Sequence, residues 1–183
     1  MKINGPWKIK ESREIYKNFW TKFREDKVIG PDGKDRSIAI LEARNGVSVL
    51  PIDEYGYVYL EDQFRYVIER RSIETGGGAI NDNESALDAA KRELREELGI
   101  EADEWVDLGI VNPFTSIVKS SQQMFLARNL RFGKDDQDSA ENITLIKVKL
   151  EEAVEMVING AITHAPSCVL ILKANGYLKL KLL

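Results

Sequence analysis

Three glutamates lie within five residues of one another, at Glu93, Glu96 and Glu97. Carboxylates at this spacing could bind a metal ion together. On a helix they would be neighbours, because residues three and four positions apart share a face. Like charges at this spacing repel and destabilise the helix. A divalent cation would offset that repulsion, and Mg²⁺ typically takes a few carboxylates together with phosphate oxygens and water. Two interpretations are open: a metal site that acts on phosphates, and a solvated acidic helix face.

The residues around these glutamates predict a helix over 85–98. Ser85 offers the side-chain oxygen that an N-cap needs, and Asp88 three residues later gives a variant of the capping box. Gly99 suits the left-handed residue that ends many helices. Apolar residues at helical spacing predict a buried stripe, formed by Leu87, Ala90, Leu94 and Leu98.

The full spacing is more specific than the glutamates alone. It runs Gly78, five residues, Glu84, seven residues, Arg92-Glu93-Leu94, one residue, Glu96-Glu97, one residue, Gly99-Ile100. This pattern resembles the Nudix box at every fixed position. The resemblance implies a hydrolase that cleaves a diphosphate linked to another moiety, with Mg²⁺ as cofactor and Mn²⁺ as an alternative. It also implies an α+β fold, an α/β/α sandwich with a mixed β-sheet between helices.

The resemblance assigns roles around the box. Glu93, Glu96 and Glu97 would bind metal and carry the catalysis, and Arg92 would orient them by pairing with the carboxylates, Glu96 among them. In the ADP-ribose pyrophosphatase group the carbonyl before the box glycine also binds metal, which is Gly77 here. That group usually has Glu-Leu-Pro-Ala-Gly at this point. Glu74 and Gly78 match, whereas Thr75, Gly76 and Gly77 depart. The alternative is that the three glycines form only a flexible turn.

Substrate-binding residues are implied by the same group. Arg65 ends the segment Gln-Phe-Arg-Tyr, where an arginine tends to lie near substrate, and Glu74 belongs to the motif before the box. Phe114 and Ser116 belong to the loop 112–116, which in the group lies near the nucleotide-sugar end of the site.

A polar acidic loop over 131–142 resembles the group's catalytic loop, which normally carries two acids spaced Glu-x-Glu. Glu141 takes the second position and inherits a metal-binding and catalytic role. Ser139 stands in the first position, where the general base is expected. Either Asp138 or Glu141 could serve as that base, since a carboxylate within reach of one water suffices.

Composition restricts the partners. The chain has 183 residues, 31% of them charged, and a net charge of −4. This negative charge predicts no electrostatic attraction to the phosphate backbone of nucleic acid. No apolar run approaches the roughly 20 residues that cross a bilayer. The single cysteine, Cys168, excludes an intrachain disulfide and fits a reducing compartment. We therefore predict a soluble cytoplasmic protein that binds neither nucleic acid nor membrane.

Two domains are predicted. Residues 1–44 resemble the small antiparallel β extension of the ADP-ribose pyrophosphatase group, which typically mediates a homodimer, and residues 45–183 form the Nudix hydrolase domain. Within the second domain, strands at 46–52 and 56–64 should form a hairpin. Further strands are predicted at 105–111, 121–130 and 143–150, and further helices at 150–159 and 167–175.

The resemblance implies cleavage of ADP-ribose, or a related nucleoside diphosphate sugar, to a nucleoside monophosphate and a sugar phosphate. A second possibility is a different nucleoside-diphosphate-linked substrate. A third is a Nudix-fold module that binds or regulates without turnover. The only histidine, His164, has no second histidine or nucleophile beside it and is interpreted as structural.

Overall fold

The computed structural model describes residues 1–133 and 142–181. The chain divides into two compact units, Met1–Arg44 with Asn112–Ser121, and Asn45–Val111 with Gln122–Leu183. The first unit contains the predicted N-terminal subdomain, with the same boundary after Arg44. It also contains residues 112–121, which fall within the predicted second domain, because a short strand in this segment pairs with the N-terminal sheet.

The described residues form eleven strands, three α-helices and one 3₁₀ helix. The strands are β1 (Lys2–Asn4), β2 (Trp7–Lys17), β3 (Thr21–Ile29), β4 (Asp35–Ala43), β5 (Gly46–Pro51), β6 (Tyr57–Arg65), β7 (Arg70–Glu74), β8 (Ile100–Val111), β9 (Val118–Lys119), β10 (Gln122–Phe132) and β11 (Thr144–Lys149). The helices are α1 (Ala86–Leu98), α2 (Leu150–Ile158), α3 (Ala165–Leu180) and the 3₁₀ helix Tyr66–Ile68.

The first unit is a five-stranded sheet in the order β1-β2-β3-β4-β9. Its first four strands are antiparallel neighbours, and β9 adds to β4 in parallel. The second unit has two three-stranded sheets, β5-β10-β8 and β11-β6-β7. The first of these is mixed, since β10 runs parallel to β5 and antiparallel to β8.

The prediction that residues 46–52 and 56–64 form a hairpin is wrong. Both strands exist, but they belong to different sheets and share only the isolated bridge Ile52–Val58 among the described residues. One edge of β5 is paired with β10, and its other edge bridges to Gly76 and Ala79. Because the glycine-rich segment occupies that edge, β6 pairs with β7 and β11 instead.

The sheet β5-β10-β8 lies between helices. Alternate residues of a strand point to opposite faces, so Val47 and Val49 pack in one apolar cluster with Leu94 of α1. Leu50 packs in the other cluster with Leu170 of α3. The predicted sandwich of helices around a mixed sheet is thereby confirmed. Helix α3 is longer than predicted, because the apolar residues after 175 continue it to Leu180.

Among the described residues, no helix is long and apolar enough to span a membrane. The cytoplasmic location stays a prediction.

Candidate active site

Helix α1 begins and ends as its sequence predicts. The Ser85 hydroxyl accepts the backbone N–H of Asp88 at 3.1 Å and contacts the Asp88 carboxylate at 2.6 Å. Gly99 adopts the left-handed conformation, with φ of 62°, and its N–H donates to the Arg95 carbonyl at 3.0 Å. These caps satisfy backbone groups that the helix itself leaves unpaired. They fix where α1 starts and stops, and therefore where its glutamates lie.

Arg92 is the centre of the box. Its guanidinium binds Glu84 through two hydrogen bonds of 2.9 and 3.0 Å, and it donates to Glu93 at 2.8 Å and to Glu96 at 3.2 Å. A further hydrogen bond of 3.1 Å reaches the Ala79 carbonyl. The predicted pairing of Arg92 with Glu96 is present. The Arg92 hydrogen bonds, together with the Asn81 backbone N–H, hold the pKa of Glu84 at about 2. Arg92 thus keeps Glu84 ionised and orients Glu93 and Glu96 through hydrogen bonds.

The glycine loop, residues 75–78, is clamped between β5 and α1. The Gly76 carbonyl accepts the Val49 N–H at 2.7 Å, and the Gly78 carbonyl accepts the Val47 N–H at 2.9 Å. On the other side, the Gly77 N–H donates to a carboxylate oxygen of Glu97 at 2.8 Å. Such a clamped segment is more than a flexible turn.

Glycine is required at the two positions next to the box glutamates. Gly77 has φ of 148°, and a Cβ there would lie 2.1 Å from the Val47 carbonyl oxygen. A Cβ at Gly78 would lie 2.4 Å from a carboxylate oxygen of Glu93. The side chains and backbone approach each other more closely here than any larger residue permits. The departure at Gly77 from the group's usual motif therefore has a local steric basis in this chain.

The donor atoms of this region suit a hard divalent cation. Glu93 and Glu97 could supply carboxylate oxygens and Gly77 a backbone carbonyl, and the Glu97 side chain is buried. Mg²⁺ prefers such oxygen ligands and completes its shell with water and phosphate oxygens. Within residues 1–133 and 142–181, no three histidine, cysteine, aspartate or glutamate side chains converge into one ligand cluster. The described chain therefore offers a partial, all-oxygen ligand set.

Arg65 and Glu74 hold each other beside the loop. Arg65 binds the Glu74 carboxylate through hydrogen bonds of 3.1 and 2.6 Å, and it lies 3.8 Å from Glu61. Burial raises the pKa of Glu74, but hydrogen bonds from Arg65 and its neighbours outweigh this and leave that pKa below its ordinary value. Glu74 is only 3% exposed, whereas the Arg65 side chain is 41% exposed. A substrate contact by either residue stays a prediction, and Arg65 is the more accessible of the two.

Three residues near this pair were missed as site residues. Glu61 is fully buried and accepts a hydrogen bond from Gln63 at 3.0 Å. His164, the N-cap residue of α3, lies 3.2 Å from Glu74 and 2.8 Å from Ser167. Glu61 follows the apolar run Tyr57–Leu60 directly, but the polar residues after it in β6 gave no reason to single it out. No sequence signal marked His164 or Ser167, because 90 residues separate His164 from Glu74.

Other predicted residues lie elsewhere. Phe114 and Ser116 belong to the first unit, in the segment before β9, and Phe114 is exposed. Their proposed substrate contacts stay predictions. Glu141, together with Ser139 and Asp138, lies outside the described residues.

A cavity of about 510 Å³ borders the opposite flank of α1. It shares Arg92 with the carboxylate cluster and is lined by residues of both charges. Arg131 in its wall pairs with Asp103 and Glu101. Much of its charge is thus neutralised within the wall.

Comparison with known protein families identifies both parts of the chain. A family model described as the NUDIX domain matches residues 42–157. A second model, described as the nucleoside diphosphate sugar hydrolase N-terminal domain, matches residues 7–38.

Curated relatives and solved structures agree with these matches. An ADP-ribose pyrophosphatase of Bacillus subtilis (strain 168) is 28% identical over 82% of this chain and 80% of its own length. One of Mycobacterium tuberculosis is also 28% identical, over 78% of this chain and 70% of its own length. A methanol dehydrogenase activator of Bacillus methanolicus is 24% identical over 80% of both chains. The crystal structure of an ADP compounds hydrolase superposes with a TM-score of 0.85 at 18% identity, covering 99% of this chain and 98% of that one.

Proposed function

The chain belongs to the Nudix family of hydrolases that act on pyrophosphate bonds, and we propose that it cleaves ADP-ribose or a related nucleoside diphosphate sugar to a nucleoside monophosphate and a sugar phosphate. The observation that carries this proposal is the assembled box: Arg92 holds Glu84, Glu93 and Glu96, while Glu97 holds the Gly77 N–H. The match of the N-terminal strands to a nucleoside diphosphate sugar hydrolase domain supports the substrate class. So do the relatives named ADP-ribose pyrophosphatase.

We propose that the metal is Mg²⁺, for which Mn²⁺ can substitute. Its ligands would be the Gly77 carbonyl and the carboxylates of Glu93, Glu96, Glu97 and Glu141. Bound divalent ions would neutralise the diphosphate and lower the pKa of a bound water. The reaction consumes one water: a bond forms between its oxygen and one phosphorus, and the bond from that phosphorus to the bridging oxygen breaks. The two products each carry a phosphate, and the water's protons pass to a base and to the leaving oxygen.

The residues of the chain itself position these parts. Arg92 keeps the box carboxylates oriented through charge-assisted hydrogen bonds. Glu97 aligns the glycine loop with α1 through the Gly77 N–H. Arg65 has a partly exposed guanidinium that can bind an anionic substrate, and Glu74 holds it in place. Phosphoryl transfer depends mainly on such positioning and electrostatics.

A substrate panel tests the proposal directly. The purified protein is incubated with Mg²⁺ and ADP-ribose, other nucleoside diphosphate sugars, and diphosphates without a sugar, and the products are identified by mass spectrometry. The proposal expects AMP and ribose 5-phosphate from ADP-ribose, or the equivalent pair from a related sugar nucleotide. Reaction in ¹⁸O-water shows which phosphorus is attacked, because the label stays in that product.

Two rival outcomes are distinguishable in the same panel. Turnover only of diphosphates that lack a sugar would mean that the substrate lies outside this class, as the departures at Thr75, Gly76, Gly77 and Ser139 from the group's motifs allow. Binding of these compounds without any product would indicate a regulatory module. The relative named methanol dehydrogenase activator makes this second outcome worth testing.

We also propose that the protein forms a homodimer through the first unit, at the end of the sheet where the chain turns from β2 to β3. Large apolar side chains are exposed there: Tyr16 by 58%, Phe19 by 72% and Trp20 by 58%. Phe19 and Trp20 pack edge to face, with ring centroids 4.9 Å apart, and the Arg44 guanidinium lies over Phe19. Exposed aromatic residues grouped in this way are typical of protein interfaces. A second copy of the chain is the occupant that we assign to this patch.

Light scattering after gel filtration checks the dimer. The parent should elute with twice the mass of one chain, and the double variant Phe19→Ser, Trp20→Ser with the mass of one. Tyr55→Ser removes an equally exposed aromatic residue from the second unit and should leave the mass unchanged. A monomeric parent, or a dimer that survives the double substitution, would refute this interface.

A further inference from the structure

Next to the glycine loop lies a set of polar side chains that meet one another. We call it the support network: Arg65, Glu74, Thr75, His164 and Ser167. Its members come from β6, from β7 and the residue after it, and from the start of α3. Glu74, Thr75 and Ser167 are buried, at 3%, 4% and 0% exposure. Buried polar groups carry a cost unless they are hydrogen-bonded, so such a network specifies one geometry.

Ser167 joins α3 to the glycine loop. Its hydroxyl oxygen accepts the backbone N–H of Thr75 at 2.9 Å and lies 3.1 Å from the Thr75 hydroxyl. The same oxygen lies 2.8 Å from Nδ1 of His164. Ser167 therefore fixes the backbone two residues before Gly77, at the point where the chain leaves β7.

The partners of His164 assign its proton. Nδ1 lies 3.2 Å from a carboxylate oxygen of Glu74, and an ionised carboxylate can only accept hydrogen bonds. With its hydrogen on Nδ1, the imidazole donates to the Ser167 oxygen, and the Glu74 carboxylate at 3.2 Å attracts that polarised N–H. The Ser167 O–H is then directed to the Thr75 hydroxyl. Burial lowers the pKa of His164 below its ordinary value, against the opposing effect of Glu74, so the neutral imidazole with hydrogen on Nδ1 fits this role.

A serine, a histidine and a glutamate in contact invite comparison with a nucleophilic triad. In a triad the serine binds one ring nitrogen and the acid binds the other. Here both partners lie at Nδ1, and the Ser167 oxygen is fully buried and already accepts a backbone N–H. The network therefore cannot activate Ser167 as a nucleophile. Its geometry serves to hold the loop.

The network reaches the site along two routes. Along the backbone, Thr75 is followed by Gly76, which is tied to Val49, and by Gly77, which is tied to Glu97. Through side chains, His164 contacts Glu74, Glu74 binds Arg65, and Arg65 lies near enough to Glu97 to be stabilised by its charge. Both routes end at the buried glutamate of α1.

We propose that His164 and Ser167 are positioning residues for the metal-binding geometry: they hold the glycine loop from behind, so that the Gly77 carbonyl and the Glu97 carboxylate face the same ion. The proposal rests on the proposed function for its metal but not for its substrate. Residues that orient metal ligands from outside commonly change metal affinity by about 10- to 100-fold. Neither residue needs to touch the ion or the diphosphate for this effect.

Four single variants test the proposal. Ser167→Ala removes the acceptor of the Thr75 N–H, and His164→Ala removes the donor to Glu74. His164→Asn restores a donor at the position of Nδ1, because its amide nitrogen is attached at the same distance from the backbone. Thr163→Ala is the matched control: Thr163 precedes His164 and binds Arg70 at an exposed position outside the network.

The primary measurement is Mn²⁺ affinity without substrate, by electron paramagnetic resonance of free Mn²⁺. We expect His164→Ala and Ser167→Ala to weaken it about 10-fold, whereas His164→Asn and Thr163→Ala stay within about threefold of the parent. With ADP-ribose or the substrate found in the panel, kcat at a fixed, subsaturating metal concentration should fall by a similar factor, with a smaller change in KM.

The outcomes separate the two proposals. If folded His164→Ala and Ser167→Ala bind Mn²⁺ as the parent does, or if the parent binds none, the positioning role is refuted. Should Ser167→Ala fail to fold, His164→Ala decides alone, because that side chain is about one-third exposed and its removal leaves the core intact. Weakened Mn²⁺ binding in a chain that leaves ADP-ribose intact would support the positioning role while rejecting that substrate.

Discussion

Charge is used differently in the sheet of the first unit and in the carboxylate site of the second. In the sheet, pairs such as Lys27–Glu11 and Arg13–Glu25 cross between exposed strand positions. Solvent screens such pairs, and each contributes little to stability. In the site, Glu74 and Glu97 are buried, and each is held by a specific donor. Most ion pairs of the sheet are exposed to solvent, with buried Asp26 as an exception held by Ser12 and Arg24, whereas the buried carboxylates of the site fix a geometry.

The two regions also differ in apolar burial. Among the described residues, Val28 is the only fully buried apolar side chain of the first unit, while Tyr16, Phe19 and Trp20 are exposed. The second unit has two apolar clusters, one on each face of the β5-β10-β8 sheet. A rigid core on both sides can hold buried charges in place. A sheet without its own core is suited to pairing with another surface.

The largest expected effect is that of Glu97→Gln. The amide keeps the shape and can still accept the Gly77 N–H, but it lacks the charge that a divalent cation needs. We expect kcat to fall by about 10²- to 10³-fold or more, with an unchanged fold by circular dichroism. Glu101→Gln makes the same chemical change at an exposed carboxylate on β8 and should leave kcat unaltered. Equal turnover by Glu97→Gln and the parent would remove Glu97 from the metal site.

The second-largest effect is expected for Gly77→Ala. Its Cβ would meet the Val47 carbonyl, which belongs to a buried strand and cannot turn away. We expect a loss of about 2–4 kcal/mol in the free energy of unfolding, together with weaker metal binding.

Gly176→Ala provides the contrast, because Gly176 lies within α3 and has open space around it. This variant should gain about 0.5–1 kcal/mol. Urea denaturation measures the free energy of unfolding of Gly77→Ala and of Gly176→Ala. A glycine loop that tolerated the substitution without loss would contradict the clamped arrangement.

Arg65→Ala should change how stability depends on pH. In the parent, the pKa of Glu74 lies below its ordinary value of 4.5, so its ionised form stabilises the fold at neutral pH. That contribution is lost as pH falls from about 4.5 through the lower folded pKa. Without Arg65, burial dominates, and the pKa of Glu74 in the folded state rises above its pKa in the unfolded state. The variant should therefore lose about 2–3 kcal/mol at pH 7 and recover part of it on acidification to pH 5.

Denaturation at the two pH values measures this effect. Arg128→Ala breaks an exposed pair with Glu104 and should show neither the loss nor the recovery. A similar loss at both pH values in Arg65→Ala would mean that packing, and not charge, explains the effect of Arg65.

The smallest effect is expected in the first unit. Lys27→Ala removes one exposed pair of the sheet and should change the free energy of unfolding by less than about 0.5 kcal/mol. Denaturation at low salt and at about 1 M salt checks this, since the remaining effect should vanish when the charges are screened. A loss above about 2 kcal/mol would remove the distinction between the two regions.

Local features were predictable to the residue. The caps Ser85 and Gly99, the pairing of Arg92 with Glu96, and the extent of α1 all follow from interactions between residues a few positions apart. In the N-terminal sheet, the residues Gly30-Pro31-Asp32-Gly33 are a strong turn signal, and they join the antiparallel neighbours β3 and β4. The hairpin predicted from 46–52 and 56–64 failed because pairing is a competition, and the distant strand β10 and residues 76–79 occupy the edges of β5.

The sequence by itself determined the box and the helix that carries it, because these depend on fixed spacing over a short stretch of chain, and the resemblance of that spacing to the Nudix box implied the class of reaction. Only the tertiary structure decided that Glu97 holds the Gly77 N–H, that Glu74 is buried beneath Arg65, and that α3 brings His164 and Ser167 to the loop. These contacts join residues 9 to 92 positions apart. Their formation depends on how the sheet and helices pack, which no local pattern encodes.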